Sequence, residues 1–434
     1  MNTLTELRAG QLAGITRLDL SCGLTTFPPE IFQLADTLEI LNLSGNQLSA
    51  LPDDLPRLHK LRVIFCSDNL FTELPVVLGR CPHLTMVGFK ANQINHFSAA
   101  AIPPLLRWLI LTDNQLTEVP RELGRCNHLQ KLMLAGNRLQ SLPQELTACR
   151  NLELLRIAAN RFAQLPEWLL SMPRLAWLAC AGNPFTDAQQ DAVLAVQEIA
   201  CINWHDLELQ QQLGEGASGV IHQANWRGEQ AVAIKLFKGA LTSDGLPASE
   251  KSACLGAGNH PNVIAAHGKL TQHPQGTAGL VMPLISRDFS TLAAPPSLQS
   301  CTRDVYADGQ KFARSMLLNL AHGIAAAVAH LHARGILHGD LYAHNILYNA
   351  RGEALLGDFG AASFMAHDAH ALQQIEVRAF GCLLEELLQR CASTRLENLW
   401  ALQRRCAAEN VALRPAFAEI VQTLVILKNE VKDE

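Results

Sequence analysis

Leu129-Gln130-Lys131-Leu132-Met133-Leu134-Ala135-Gly136-Asn137-Arg138-Leu139 sets out a frame, Leu-x-x-Leu-x-Leu-x-x-Asn-x-Leu, that organises the first half of the chain. Leu106, Leu109, Leu111, Asn114 and Leu116 repeat it. The asparagine recurs at Asn46, Asn69, Asn92, Asn114, Asn137, Asn160 and Asn183, in steps of 23 residues with one of 22. A Leu-Pro step recurs as well, at Leu51-Pro52, Leu74-Pro75, Leu142-Pro143 and Leu165-Pro166. An earlier copy, Ile15, Leu18 and Leu20, has Gly23 in the asparagine's place and reads as a capping unit. Alternating leucines predict a short strand with one buried face. The asparagine side chain is suited to bond backbone at the turn that follows. No single unit can bury its leucines alone, so neighbouring units must stack.

This pattern resembles the leucine-rich-repeat family, with about eight units over residues 1–185. The resemblance implies an α/β solenoid, a horseshoe whose concave face is lined by the outward strand residues. One row reads Arg17, Ile40, Val63, Met86, Trp108, Lys131, Leu154, Trp177, and the next Asp19, Asn42, Phe65, Gly88, Ile110, Met133, Arg156, Ala179. The middle of these rows is short of charge, and an exposed apolar patch usually meets a partner. Ile40, Val63, Phe65, Met86, Trp108, Ile110, Met133 and Trp177 are therefore expected to contact a protein partner or the chain's own second half. Residues 186–204 have helical periodicity and read as a helical cap or linker.

The second half carries a different kind of signal. Gly214-Glu215-Gly216-Ala217-Ser218-Gly219 is a G-x-G-x-x-G turn, and Ala231-Val232-Ala233-Ile234-Lys235 is a strand that ends in a lysine. A glycine turn followed by a strand lysine, with no intervening helix, argues against a dinucleotide-binding βαβ unit. Further on, His338-Gly339-Asp340-Leu341-Tyr342-Ala343-His344-Asn345 precedes Asp358-Phe359-Gly360 by thirteen residues. Two carboxylates and an amide in that order suit phosphoryl transfer, in which one carboxylate takes a hydroxyl proton and the others hold Mg²⁺.

Together these motifs resemble the protein kinase family from about Leu207 to the C-terminus. The implied fold is a bilobal α+β domain over residues 205–434, with a smaller lobe at 205–285 and a larger one at 286–434. The resemblance implies ATP and Mg²⁺ as cofactors. Gly214, Gly216 and Gly219 would close over the phosphates, Lys235 would contact the α- and β-phosphates, and Glu250 would pair with Lys235. Met282, Pro283 and Ile285 would form the adenine hinge, with Ile221, Ala233 and Leu347 around the base. Asp340 would be the catalytic base, Asn345 and Asp358 the metal ligands, and His338 and Phe359 structural supports.

The chain also departs from that family. Gly339 replaces the arginine that meets an activation-loop phosphate, and Tyr342 replaces a phosphate-binding lysine. The segment from Gly360 to Glu376 is short, lacks Ala-Pro-Glu, and contains Ser363 as its single hydroxyl residue before Gln373. Arg414, the family partner of that missing glutamate, is left without an assigned partner. The insert Ser286–Gln310 reads only as a surface loop. The leading expectation is an ATP- and Mg²⁺-dependent protein kinase, Ser/Thr in preference to Tyr, whose repeats recruit or sense a protein. A nucleotide-binding pseudokinase scaffold and a small-molecule kinase are the alternatives.

Composition bounds the remaining classes. At 434 residues, 48% hydrophobic and 17% charged, the chain is expected to form two well-buried domains. A net charge of -5 and the lack of a long basic run give no reason to expect nucleic-acid binding. No uninterrupted apolar stretch of membrane-spanning length occurs, and Met1–Arg8 lacks the pattern of a signal peptide. Twelve scattered cysteines without a C-x-x-C pair suit reduced core thiols, and the cytoplasm is the expected location.

Overall fold

A computed structural model describes residues 2–195, 199–239, 241–366 and 369–432. The chain divides into two compact units, Met1–Met172 and Pro173–Glu434, each considered by itself.

In the first unit a short helix, α1 (Leu4–Arg8), is capped by Thr3, whose side chain and backbone both bond Glu6. Seven three-residue strands follow: β1 (Arg17–Asp19), β2 (Ile40–Asn42), β3 (Val63–Phe65), β4 (Met86–Gly88), β5 (Trp108–Ile110), β6 (Lys131–Met133) and β7 (Leu154–Arg156). Neighbours pair in parallel without a register slip, so Ile40 faces Val63 and Val63 faces Met86. Short 3₁₀ turns return the chain, most of them opened by a proline such as Pro120 or Pro143. Leu109, Leu132 and Leu155 at the strand centres are fully buried, as the frame predicts.

Asparagines join the units. Asn137 Nδ2 donates to Leu134 O in its own repeat and to Leu111 O in the preceding one, both at 2.9 Å. Its Oδ1 accepts from Leu116 N at 3.0 Å, which closes the rung. Asn114 and Asn160 make the same connections one unit earlier and one later. The residue before each asparagine turns left-handed, at φ +68° for Gly136 and +52° for Ala159.

The apolar row is less exposed than its sequence suggests. Val63, Met86 and Met133 are buried, whereas Ile40, Phe65, Trp108 and Ile110 are half-buried. Strands spaced about 4.8 Å apart force these side chains against one another. Phe65 lies over Gly88, so close that a Cβ there would stand 2.5 Å from its ring. Trp108 Nε1 meets the Met133 sulfur at 3.2 Å, and the Lys131 ammonium sits 4.4 Å from the Trp108 ring centre.

The second unit begins with the strand of the last Leu-x-x-Leu frame, β8 (Trp177–Ala179), followed by α2 (Pro184–Ala195). The compact boundary thus falls at 172/173, ahead of the position 185 expected from the repeat period. Residues 186–204 are helical only as far as Ala195, and Val196–Glu198 lie outside the described residues. Cys201–Asn203 (β9) corrects the helical expectation. Exposed Cys201 and half-buried Asn203 flank buried Ile202, an alternation that suits an edge strand.

A six-stranded sheet forms the smaller lobe in the order β10-β11-β12-β14-β13-β9. Its other members are β10 (Leu207–Glu215), β11 (Gly219–Trp226), β12 (Gln230–Phe237), β13 (Gly268–Thr271) and β14 (Gly279–Pro283). Ile202, Leu207, Ala224, Val232, Ile234, Leu270 and Val281 make its core. The helix α3 (Pro247–Ala257) carries proline in its first turn, where a missing N–H costs nothing.

The larger lobe contains α4 (Arg314–Ala333) and the short strands β15 (Ser290–Thr291), β16 (Ile336–Leu337), β17 (Ile346–Tyr348), β18 (Ala354–Leu356) and β19 (Ser363–Phe364). It ends in α5 (His370–Gln389), α6 (Glu397–Cys406) and α7 (Phe417–Lys432). Among the described residues, α4 is the one helix long and apolar enough to cross a membrane. In this fold it is a core helix packed on α7, with Leu317, Leu320, Ile324, Val328 and Leu331 buried.

Candidate active site

The two-residue period of β12 decides where the lysine points. Val232 and Ile234 enter the sheet core, so Lys235 projects from the opposite face. There it meets Glu250 of α3 in a hydrogen-bonded ion pair, with side chains 13% and 3% exposed. Burial opposes the lysine's charge, but Glu250, and Asp358 beyond it, hold its pKa above the ordinary lysine range. A cation kept charged inside a fold is suited to anion binding.

Gly216 to Ser218 turn the chain between β10 and β11, Gly214 lies in the last strand pairs before the turn, and Gly216 N donates to Gly219 O at 2.9 Å. Gly219 is fixed by packing, because a Cβ there would stand 2.5 Å from Leu236 O on β12. Gly214, Gly216, Gly219, Ile221, Lys235, Thr291, His344, Asp358 and Gly360 line one cleft of about 540 Å³. The structure therefore brings the glycine turn, the strand lysine and the Asp-Phe-Gly carboxylate together from three separate parts of the sequence.

The loop His338–Asn345 reaches the cleft through His344. His338 is fully buried, its Nε2 bonding Gly357 O at 2.9 Å while its Nδ1 accepts from Asp340 N at 3.3 Å. Phe359 packs 5.3 Å from the His338 ring, centre to centre. Asn345 Nδ2 donates to Asp340 Oδ2 at 2.8 Å and to Asp340 O at 2.9 Å. With its amide protons so used, Asn345 presents Oδ1 as an acceptor. Asp358 is exposed to the cleft in a left-handed conformation, φ +56°, with Oδ1 accepting from Gly360 N at 3.1 Å. Strained backbone of this kind persists where the surroundings enforce it. Asn345 Oδ1 and the Asp358 carboxylate are hard oxygen donors, the set that suits Mg²⁺. Two such donors do not make a cage, which fits a cation that arrives with phosphate oxygens as its remaining ligands.

The hinge residues do not line this cleft. Ala233 and Met282 face each other across β12 and β14, Met282, Ile285 and Leu347 are half-buried, and Pro283 borders another hollow with His260 and His267.

Two features escaped the sequence. Asp304, inside the supposed surface loop, is buried and accepts from His344 N at 3.0 Å, and its Oδ1 lies 2.7 Å from His344 Nδ1. Burial disfavours the imidazolium, but Asp304, with Asp340 and Asp358 nearby, raises the His344 pKa. The insert is thus a clasp that holds the His344 ring at the cleft. Its signal was a charge set among Cys301, Thr302, Val305 and Tyr306, three of which are buried. The second feature is the set of partners of Arg414, which donates to Gln374 O, Pro173 O and Ala408 O at 2.8 to 2.9 Å. Burial and the nearby Arg378 charge lower its pKa to about 10.

Residues 207–380 match the model of the family described as protein tyrosine and serine/threonine kinase, and residues 37–58 match that of the leucine-rich repeat. The serine/threonine-protein kinase bur1 of Neurospora crassa is 31% identical over 174 residues, 38% of this chain and 29% of that protein. The serine/threonine-protein kinase PITSLRE of Drosophila melanogaster is 28% identical over 171 residues, 39% of this chain and 16% of that one. A probable serine/threonine-protein kinase of Arabidopsis thaliana is 26% identical over 171 residues, covering 39% and 22%. The chain spans under a third of the length of these curated relatives.

Proposed function

We propose that this chain, a fusion of leucine-rich repeats to a protein-kinase domain, transfers the γ-phosphate of ATP to a protein hydroxyl, serine or threonine in preference to tyrosine. One observation carries the reading: Lys235, paired with Glu250, meets Asp358 and the glycine turn in a single cleft, which the loop holding Asp340 and Asn345 reaches through His344. Asn345 and Asp358 would hold Mg²⁺, which neutralises charge on the phosphates and the leaving group. Lys235 orients the α- and β-phosphates, and the glycine turn closes over them. Asp340, fixed by Asn345, orients the acceptor hydroxyl and takes its proton. His344, bonded to Asp304, lines the cleft beside Asp358.

The repeat face around Ile40, Phe65, Trp108 and Ile110 takes a protein partner, and its half-buried apolar side chains support that role. Buried thiols such as Cys66, Cys149 and Cys180 support a reducing, cytoplasmic setting.

Transfer from γ-labelled ATP to protein tests the reading. The wild type is expected to label protein and the Asp340→Ala and Asp358→Ala variants are not. Equal labelling by all three contradicts it. Label found on small metabolites alone would move the acceptor from protein to small molecule, an outcome consistent with the short segment after Asp358.

A further inference from the structure

The strand β8 makes contacts that neither the repeat frame nor the kinase motifs account for. Trp177 is 1% exposed, and its ring lies flat on Tyr342, with centroids 4.2 Å apart and planes inclined by 6°. Its Nε1 donates to Leu341 O at 3.0 Å. Leu341 and Tyr342 are the two residues immediately after Asp340.

The neighbouring backbone is engaged in the same way. Cys180 N donates to Ser363 Oγ at 3.2 Å, so the single hydroxyl of the segment after Asp358 is buried and already bonded. A Cβ at Gly339 would stand 2.5 Å from both Leu178 O and Ala361 O. Gly339 N instead bonds Glu376 Oε1 at 2.6 Å, and Glu376 Oε2 lies 2.6 Å from His332 Nε2. Arg414 reaches Pro173 O, at the start of this stretch.

We infer that β8 is a built-in brace of the catalytic loop and that Trp177 is a positioning residue for Asp340, which makes the loop's geometry independent of phosphorylation. The inference rests on the proposed kinase activity for its functional consequence and on geometry for the brace itself. The loop is gripped on both sides of Asp340: Glu376 holds the residue before it, and Trp177 holds the carbonyl and ring of the two after it. Tyr342 stands where a phosphate-binding lysine was expected, and the stack fills that place with aromatic surface. Displacing a positioned base by about 1 Å is enough to cost roughly a hundredfold in rate.

The test uses the full chain, with steady-state transfer kinetics and amide exchange measured in parallel. Trp177→Ala is expected to lower kcat by at least about tenfold while KM for Mg·ATP stays within about twofold. Exchange in peptides covering residues 339–343 should accelerate by at least about tenfold, with α4 still protected. Trp177→Phe keeps the stack and loses the N–H, so it should recover most of the lost rate. Phosphatase treatment should leave wild-type activity unchanged. Wild-type kcat together with wild-type loop exchange in Trp177→Ala overturns the inference. If Trp177→Ala exposes α4 and so unfolds, Trp177→Leu, which removes both the stack and the N–H but keeps apolar volume, decides: a reduced kcat or faster loop exchange with α4 protected supports the brace, and wild-type behaviour in both overturns it. Should the wild type transfer no phosphate, the proposed function fails, and loop exchange alone then decides whether the brace exists.

Discussion

The strands β1–β7 and the strand β8 share one sequence frame and have different fates. In the first seven, the outward row packs mainly on itself: Phe65 over Gly88, Trp108 against Met133 and Lys131. In the eighth, the same row position holds Trp177, which stacks on Tyr342 beside Asp340. A repeat period fixes the backbone and which residues face outward, but it does not fix what they meet. Both compact units bury charged side chains, Lys131, Glu153 and Arg156 in the first and the Lys235–Glu250 ion pair and the acid Glu386 in the second, but the rungs that join the repeats are neutral amides.

The largest expected effect breaks the β8 contact directly. Gly339→Arg, the residue that most kinases carry there, must force a side chain between Leu178 O and Ala361 O at φ +76°. It should destabilise the second unit by more than about 3 kcal/mol and abolish transfer. Calorimetric unfolding and the labelling assay check this, and a folded, active variant would show that β8 can move aside.

Next in size comes a difference in pH response. Burial, opposed in part by Arg303, raises the Glu386 pKa to about 7 from an ordinary 4.5. Its folded-state pKa lies above its unfolded one, so the folded unit holds the proton more tightly. Stability is fully present below pH 4.5 and is lost as pH rises through 7, by about 3 kcal/mol in all. Glu386→Gln should flatten that loss in denaturant titrations from pH 5 to pH 8, while the repeat array's transition stays insensitive to the substitution. An equal slope in both proteins would place the pH dependence elsewhere.

A smaller effect tests the rungs. Asn137→Ala leaves Leu111 O, Leu134 O and Leu116 N without their side-chain partner and should cost about 2 kcal/mol in the array. The smallest concerns Ala159, which is held at φ +52° where Gly136 stands in its own repeat. Ala159→Gly relieves left-handed strain and should raise the array's stability by up to about 1 kcal/mol. A loss there would mean that the glycine's added unfolded-state entropy outweighs the relief.

Much of this was legible from spacing. Lys235 and Glu250 sit fifteen residues apart in sequence and form the ion pair that their motifs imply. Asp340 and Asn345 lie in one loop, so their bond needs only local geometry. The rest depended on contacts between distant segments. Asp304 was hidden in an insert without periodicity, and its value appears only once His344 folds onto it. Arg414 satisfies three backbone carbonyls, which leave no mark in sequence because every residue has one. Trp177 was expected to meet either a protein partner or the chain's own second half, and the repeat period could not choose between them because Tyr342 lies 165 residues further along the chain.

Calorimetric titration of the full chain with ATP, with and without Mg²⁺, tests the central claim most directly. The account predicts tight binding with Mg²⁺, and a loss of at least about tenfold when Mg²⁺ is omitted or Asp358 is replaced by alanine. Binding that ignores both changes, or no binding at all, would contradict it.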